Sequence, residues 1–377
     1  MGDCHLGAWS QPEIRALNSQ SFMTAIDICI KKKVEFVLIS GDLFDSAYPS
    51  IETLKEAFQE FRKLKESNIP VFLIAGSHDY SASGKTFLEV LEHAGFCRNV
   101  ALFIEQKEML VLQPTIYKNV ALYGYPGKKS GLEMQEIKNI KLNDSPGFFK
   151  ILLLHTAIRD AVGDLPIDAV DHNLLPKVDY LALSHLHIVY QKPGRAYSGP
   201  LFPNNISELE ELKHGFFYIF ENGKIQREDI RLREVLVLNL EIQNTISATK
   251  DIITLLQSEN IKDKILLLKF SGIISKGKIA DINFSLIEES AKKIGAYAML
   301  KSTSKLYLPE AMQELISSNS IFRDEEIQKN FEIQNPGKFN ILLPQLLQLL
   351  QLEKNEEERS SLFEERLFTE SKKLFAI

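Results

Sequence analysis

Apolar side chains fall in short unbroken runs over the first half of the chain. "VEFVLIS" (34–40), "VFLIA" (71–75), "ILLLH" (151–155) and "VDYLALS" (178–184) are continuous rather than alternating. That pattern predicts strands buried on both faces. Between the first two runs, Leu54, Ala57, Phe58, Phe61 and Leu64 recur at the spacing of an amphipathic helix. The resulting strand–helix–strand rhythm predicts an α/β layered fold, with sheets flanked by helices.

Further along, "GFFYIF" (215–220) and "KIQREDI" (224–230) flank "ENG", which reads as a hairpin turn. The pattern then restarts. "EVLVLNLEI", "KILLLKFSGI" and "YAMLKSTSKLYL" read as strands, and "SATKDIITLLQSE" and "FSLIEESAKKIGA" as the helices between them, the first opened by a Ser or Thr cap. The last stretch is leucine- and glutamine-rich and then charged, with Phe363, Leu367 and Leu374 on one helical face. Such a helix either docks on a partner or folds back on its own chain. The expected division is a main domain over 1–234, a small α/β capping domain over 235–310 and a helical partner-binding region over 311–377.

A length of 377 residues fits two or three domains, with 45% hydrophobic and 25% charged residues as in ordinary globular proteins. No apolar run approaches the roughly 18–20 residues of a membrane span. The opening "MGDCHLGAWS" lacks a basic segment followed by an apolar one, so no secretory leader is expected. Cys4, Cys29 and Cys97 show no CxxC spacing. That argues against a disulfide framework or a cysteine zinc site and fits a reducing cytosol. A net charge of −6 argues against gripping nucleic acid by bulk electrostatics alone. A DNA substrate would need a local basic groove or a basic partner.

The chemistry gathers at the ends of the apolar runs. Asp3 and His5 form D-x-H; Asp42 and Asp45 follow the first run; Ser77, His78 and Asp79 follow the second; His155 ends the third; His185 and His187 follow the fourth. Ligands of open α/β sheets bind beyond the carboxyl ends of the strands. Any one cluster is weak, since a lone histidine after an apolar run is usually a core residue with one hydrogen bond. Five clusters at one edge outweigh that reading. Carboxylates with neutral imidazoles suit manganese, iron or zinc. In an extended backbone, residues i and i+2 point the same way, so Asp3 and His5 would converge and Cys4 would turn away. His185 and His187 would likewise project together. The other histidines read as structural: His93 at a helix end, His172 and His214 in surface loops. "KKK" (31–33) reads as a solvated helix end. Trp9 reads as packing, and Lys128, Lys129, Lys192 and Arg195 are loop cations within reach of phosphates.

In order, "DCH", "GDLFD", "GSHD", "LLLH" and "SHLH" resemble the motifs of calcineurin-like metallophosphoesterases. "HLG", "GDLFD" and "YSGPLF" (197–202) followed by "KHGFFYIF" are similar to one branch, the SbcD-type exonucleases, nuclease subunits of a double-strand-break repair complex. The resemblance covers about the first 220 residues. It implies a layered sandwich of two sheets flanked by helices and two divalent ions, Mn2+ first among them. Asp3, His5 and His187 would hold one ion, Asp42 would bridge, and His155, His185 and Ser77 would hold the other. His78 would act on the scissile phosphate and protonate the leaving oxygen. Asp45 and Asp79 would orient ligand imidazoles.

The resemblance further implies exonuclease action on DNA ends, with single-strand endonuclease action. It also implies a homodimer, a coiled-coil ABC-type ATPase gripped by the C-terminal helices, and a cytoplasmic, nucleoid-associated location. This chain has no G-x-x-x-x-G-K-[ST] loop, so the ATP site would be the partner's. Two departures stand out. Ser77 replaces the family's metal-binding asparagine, and the sequence opens two residues before Asp3, where the family has a strand. The same motifs also admit a small phosphoester or cyclic nucleotide as substrate, or a weakened site serving as a scaffold for DNA ends.

Overall fold

The computed structural model describes residues 1–81, 84–106, 109–128, 133–163 and 167–308. The helical region expected over 311–377 lies outside them.

Two sheets face each other. One contains the parallel strands Val37–Ile39, Val71–Leu73 and Arg98–Asn99, in that order. The other has six strands and centres on Phe149–His155, which pairs in parallel with Val120–Tyr125 on one side and Tyr180–Ser184 on the other. Arg195–Tyr197 extends the parallel set, and Tyr190–Lys192 and Thr115–Tyr117 close its edges antiparallel.

The continuous runs follow from this layering. Ile151 and Leu153 point between the sheets, where they meet Phe72, Ile74 and Leu122. Leu152 and Leu154 point the other way, into a core with Tyr123, Ile137 and Leu183. With both faces covered, polar alternation has no place on the strand.

Outside the small sheet lie the helices Pro12–Lys32 and Ile51–Glu66. The second starts at Ser50, whose side chain accepts from the Thr53 amide, and buries Ala57, Phe61 and Leu64 as the spacing predicts. The first has no clear stripe. Ile14 and Leu17 serve one core while Phe22 and Ile26 serve another, so its apolar residues are spread around the axis. The hairpin of Gly215–Glu221 and Lys224–Ile230 turns at residues 222–223.

The last sheet comprises Val235–Glu241, Ile265–Ile273 and Ala298–Tyr307, all parallel. Helices Thr245–Ser258 and Phe284–Ile294 cover one face. The first is capped by Asn244 rather than by the expected Ser or Thr. The other face is not self-contained: Val235, Ile265, Leu267 and Leu300 share a core with Ile14, Leu17, Phe202 and Leu209.

Residues 1–6 run through the seam between the two main sheets. The Asp3, Cys4 and Leu6 amides donate to the carbonyls of Gly41, Asp42 and Leu43 at 3.1, 2.8 and 2.9 Å. On the other side the Gly2 amide donates to Ser198 O at 3.1 Å. A side chain at position 2 would collide with Ser184, whose Oγ stands 1.9 Å from the Cβ position, so glycine is required there. This seam carries Asp3 and His5 to the carboxyl ends of the strands.

Candidate metal centre

His155 is the last residue of its strand, and Ser184 precedes His185 at the end of the neighbouring one. The loops after Ile39 and Leu73 deliver Asp42 and His78. Asp3, His5, Asp42 and His155 are buried, each no more than 2% exposed.

Asp42 stands at the centre. Its Oδ2 lies 3.2 Å from His155 Nε2 and 3.7 Å from His5 Nε2. Asp3 Oδ1 lies 3.9 Å from His155 Nδ1 and 3.8 Å from His187 Nε2. Both Asp3 oxygens accept from the His185 amide at 3.1 Å. The His155 and His185 rings meet edge to face at 5.0 Å. Donor atoms of Asp3, His5 and His187 lie within 4.8 Å of one another, as do those of Asp3, Asp42 and His155.

The imidazoles share one arrangement. His155 holds its Nδ1 3.1 Å from Ser40 O, His5 holds its own 3.1 Å from Asp45 Oδ1, and His187 holds its own 3.0 Å from Glu208 Oε2. Each bond places the proton on Nδ1 and turns the Nε2 lone pair inward. His5 Nε2 and His187 Nε2 then face each other at 3.2 Å, a contact that needs a proton on one of them unless a cation takes its place. His155 Nε2 is buried and faces Asp42 without hydrogen-bond geometry. Lone pairs converging on carboxylates, with the far nitrogens anchored, are what a divalent cation requires. The residues fit the ions that the motifs imply.

Without a cation, protons must balance these charges. Burial opposes a charged His155, but Asp42 and Asp3 outweigh it and lift its pKa to about 9. Burial would raise Asp42, yet His155 and His5 hold it well below the usual carboxylate range. Burial, then the His155 charge, lowers His185 to about 4. Binding of a cation would displace the His155 proton.

The convergence does not come from strand alternation. Asp3 and His5 have φ 47° and 43°, Asp42 has 49° and His185 has 104°, all in the left-handed region. Each costs on the order of 1–3 kcal/mol, so the surrounding bonds must over-determine it. Cys4 does turn away, into the core below. His185 and His187 diverge: one meets His155, the other His5.

The remaining expected residues are placed as follows. Ser77 Oγ lies 3.5 Å from Asp42 Oδ2. His78 is exposed, with its amide on Asp42 Oδ1 at 2.8 Å and its Nδ1 2.9 Å from Asp45 O. Asp45 Oδ1 lies 3.1 Å from His5 Nδ1. Asp79 departs from expectation: its recorded bonds are from the Gly76, Phe44 and Leu43 amides at 2.8, 3.0 and 3.4 Å, so it clamps the two loops together. Burial and the Asp42 charge raise it to about 6.

Of the cations, Lys32 pairs with Glu228, Lys128 with Glu136 and Arg195 with Asp160; Lys129 lies outside the described residues. Trp9 donates to Pro203 O at 2.9 Å. Asn204 and Glu208 were not legible as site residues. Asn204 Nδ2 reaches Asp45 Oδ1 at 3.4 Å and Glu208 reaches His187. Their only signal, N-N-x-x-E, reads as a helix cap.

The family model for calcineurin-like phosphoesterases matches residues 1–210. The DNA double-strand break repair protein Mre11 of Archaeoglobus fulgidus is 25% identical over 393 residues, which is 96% of this chain and 82% of that protein. The protein of that name from Methanocaldococcus jannaschii is 31% identical over 57% of this chain and 62% of its own length. The uncharacterized metallophosphoesterase YhaO of Bacillus subtilis is 28% identical over 56% of this chain and 52% of its own length. The matched stretch contains every residue of the carboxylate–imidazole cluster, and on that match the chain belongs to the calcineurin-like phosphoesterase family.

Proposed function

We propose that this chain is a two-metal DNA nuclease that hydrolyses phosphodiesters at DNA ends, and in single strands internally, during double-strand-break repair. One observation carries the reading: Asp42 Oδ2 lies between His155 and His5, the inner nitrogens of two half-sites. A carboxylate in that position would serve both ions. Asp3, His5 and His187 would hold the first; His155, His185 and Ser77 would hold the second. Relatives named as Mre11 support DNA as the substrate. When bound, Mn2+ ions lower the pKa of water and offset the charge of the phosphate.

The chain's own groups do the rest. Asp45 fixes His5 through Nδ1 and fixes His78 through its carbonyl. The exposed His78 thereby keeps Nε2 free to protonate the leaving oxygen. Asp79 keeps the Asp42 and His78 loops in register.

Residues 1–234 form the nuclease domain, 235–310 a cap, and 311–377 the grip on a coiled-coil ABC-type ATPase; the protein works as a cytoplasmic, nucleoid-associated homodimer. No helix among the described residues is long and apolar enough to cross a membrane. The test is Mn2+ stoichiometry together with hydrolysis of end-labelled duplex DNA and of p-nitrophenyl phosphate esters. Two ions per chain and shortened DNA are expected. Ester hydrolysis with intact DNA would reassign the substrate to a small phosphoester. Two ions with neither activity would leave a scaffold.

A further inference from the structure

We propose that Glu208 is a positioning residue for His187, and that the helix carrying it couples this ligand to the C-terminal three-stranded sheet. The proposal rests on the two-ion reading above. Glu208 Oε2 lies 3.0 Å from His187 Nδ1, and the same oxygen accepts from the Asn204 amide at 2.8 Å. Asn205 caps the helix Ile206–Leu212 by accepting from the Glu208 amide at 2.9 Å, and its Nδ2 donates to Glu208 Oε1 at 2.5 Å. The carboxylate is therefore fixed from both sides. A cap alone explains the asparagine contacts. It does not explain an oxygen shared with an imidazole 21 positions earlier in the chain. The bond puts the His187 proton on Nδ1 and leaves Nε2 as the donor to an ion.

The next two residues face elsewhere. Leu209 is fully buried among Val235, Ile265, Leu267 and Leu300. Glu210 takes Lys269 Nζ on both oxygens at 2.7 Å, and Lys269 belongs to the strand Ile265–Ile273. Just upstream, Asn204 touches Asp45, which holds His5. Residues 204–210 thus touch the anchors of two first-ion ligands and, within one helical turn, the C-terminal sheet. A shift of that sheet would reach the carboxylate through Leu209 and the Lys269–Glu210 pair, both within one turn of it.

The experiment is Mn2+ titration of the full-length, metal-stripped chain by calorimetry, with manganese spin resonance counting the ions and a thermal melt in parallel. Wild type binds two ions; fewer would overturn the two-ion reading itself. Glu208→Gln keeps an oxygen for the Asn204 amide and removes only the charge. It should weaken one ion about 10- to 100-fold, as loss of an orienting partner does, and leave the other unchanged. Glu208→Asp keeps the charge but falls short of His187, and should show the same selective loss. Wild-type affinities in both variants, or equal loss of both ions, would overturn the positioning role. Lys269→Met touches no ion donor. It should weaken the same ion by a smaller factor, and unchanged binding there would overturn the coupling to the sheet.

Discussion

Gly76 lies where a single methyl group would meet Asp42 head on. An added Cβ would stand 2.2 Å from Asp42 Oδ1 and 2.3 Å from its backbone nitrogen, whereas real Cβ contacts essentially never fall below 3.0 Å. The neighbour is backbone, and the Gly76 amide is itself bonded to Asp79, so neither side yields by turning a side chain. The two loops must part by roughly 1 Å, and a misplacement of that size costs about 10²-fold in rate. Overpacking should also destabilise the fold by about 1–3 kcal/mol.

Gly147→Ala is the control, since its φ is +85° with nothing within 4 Å of the added carbon. It should lose about 1–2 kcal/mol through backbone strain alone. The assay is Mn2+-dependent hydrolysis of bis(p-nitrophenyl) phosphate, with urea melts of both variants. Gly76→Ala should lose about two orders of magnitude in kcat/KM, and Gly147→Ala should lose none at similar stability. Wild-type kcat/KM in Gly76→Ala would refute the argument that the loops are packed against Asp42 without room to move.

His78→Ala should reduce hydrolysis by about 10²- to 10⁴-fold, the weight of a general acid, while manganese content stays near wild type; parallel loss of metal and activity would contradict its role. Ser77→Asn places an amide oxygen nearer the second ion and should tighten it about tenfold, or about 1.4 kcal/mol; unchanged manganese affinity would count against a ligand at that position. The His155 pKa is raised from 6.5 to about 9 in the folded, metal-free protein. Its stabilisation is therefore complete below pH 6.5 and lost as pH climbs through 9. Urea midpoints in chelator should fall over that window, and His155→Gln should flatten the fall. With Mn2+ present the trend should reverse, because the cation takes the proton's place.

Much of the site could be read from the chain because its carriers are strands. A run buried on both faces must end where polar groups can begin, so Asp42, His78, His155 and His185 stand out at the boundary. Helix Ile51–Glu66 was legible for the same reason, since one apolar face meets one core. Helix Pro12–Lys32 was not, because two cores claim different sides of it and no single stripe remains. The sheet of Phe103–Gln106, Met109–Leu112 and Ile140–Leu142 also went unread; it is short, and its first strand is exposed along its length.

What the sequence by itself determined is therefore the set of carboxylates and imidazoles and the edge on which they lie, since both follow from local pattern. Only the tertiary structure decided how they meet. Asp3 and His5 converge through left-handed turns that no alternation rule anticipates, held by amide hydrogen bonds to the carbonyls of a loop some forty residues away. Asp79 binds backbone rather than imidazole because two loops close around it. Glu208 reaches His187 because a capped helix is wedged between the site and a distant sheet. Such contacts depend on distances across the fold, which spacing along the chain does not encode.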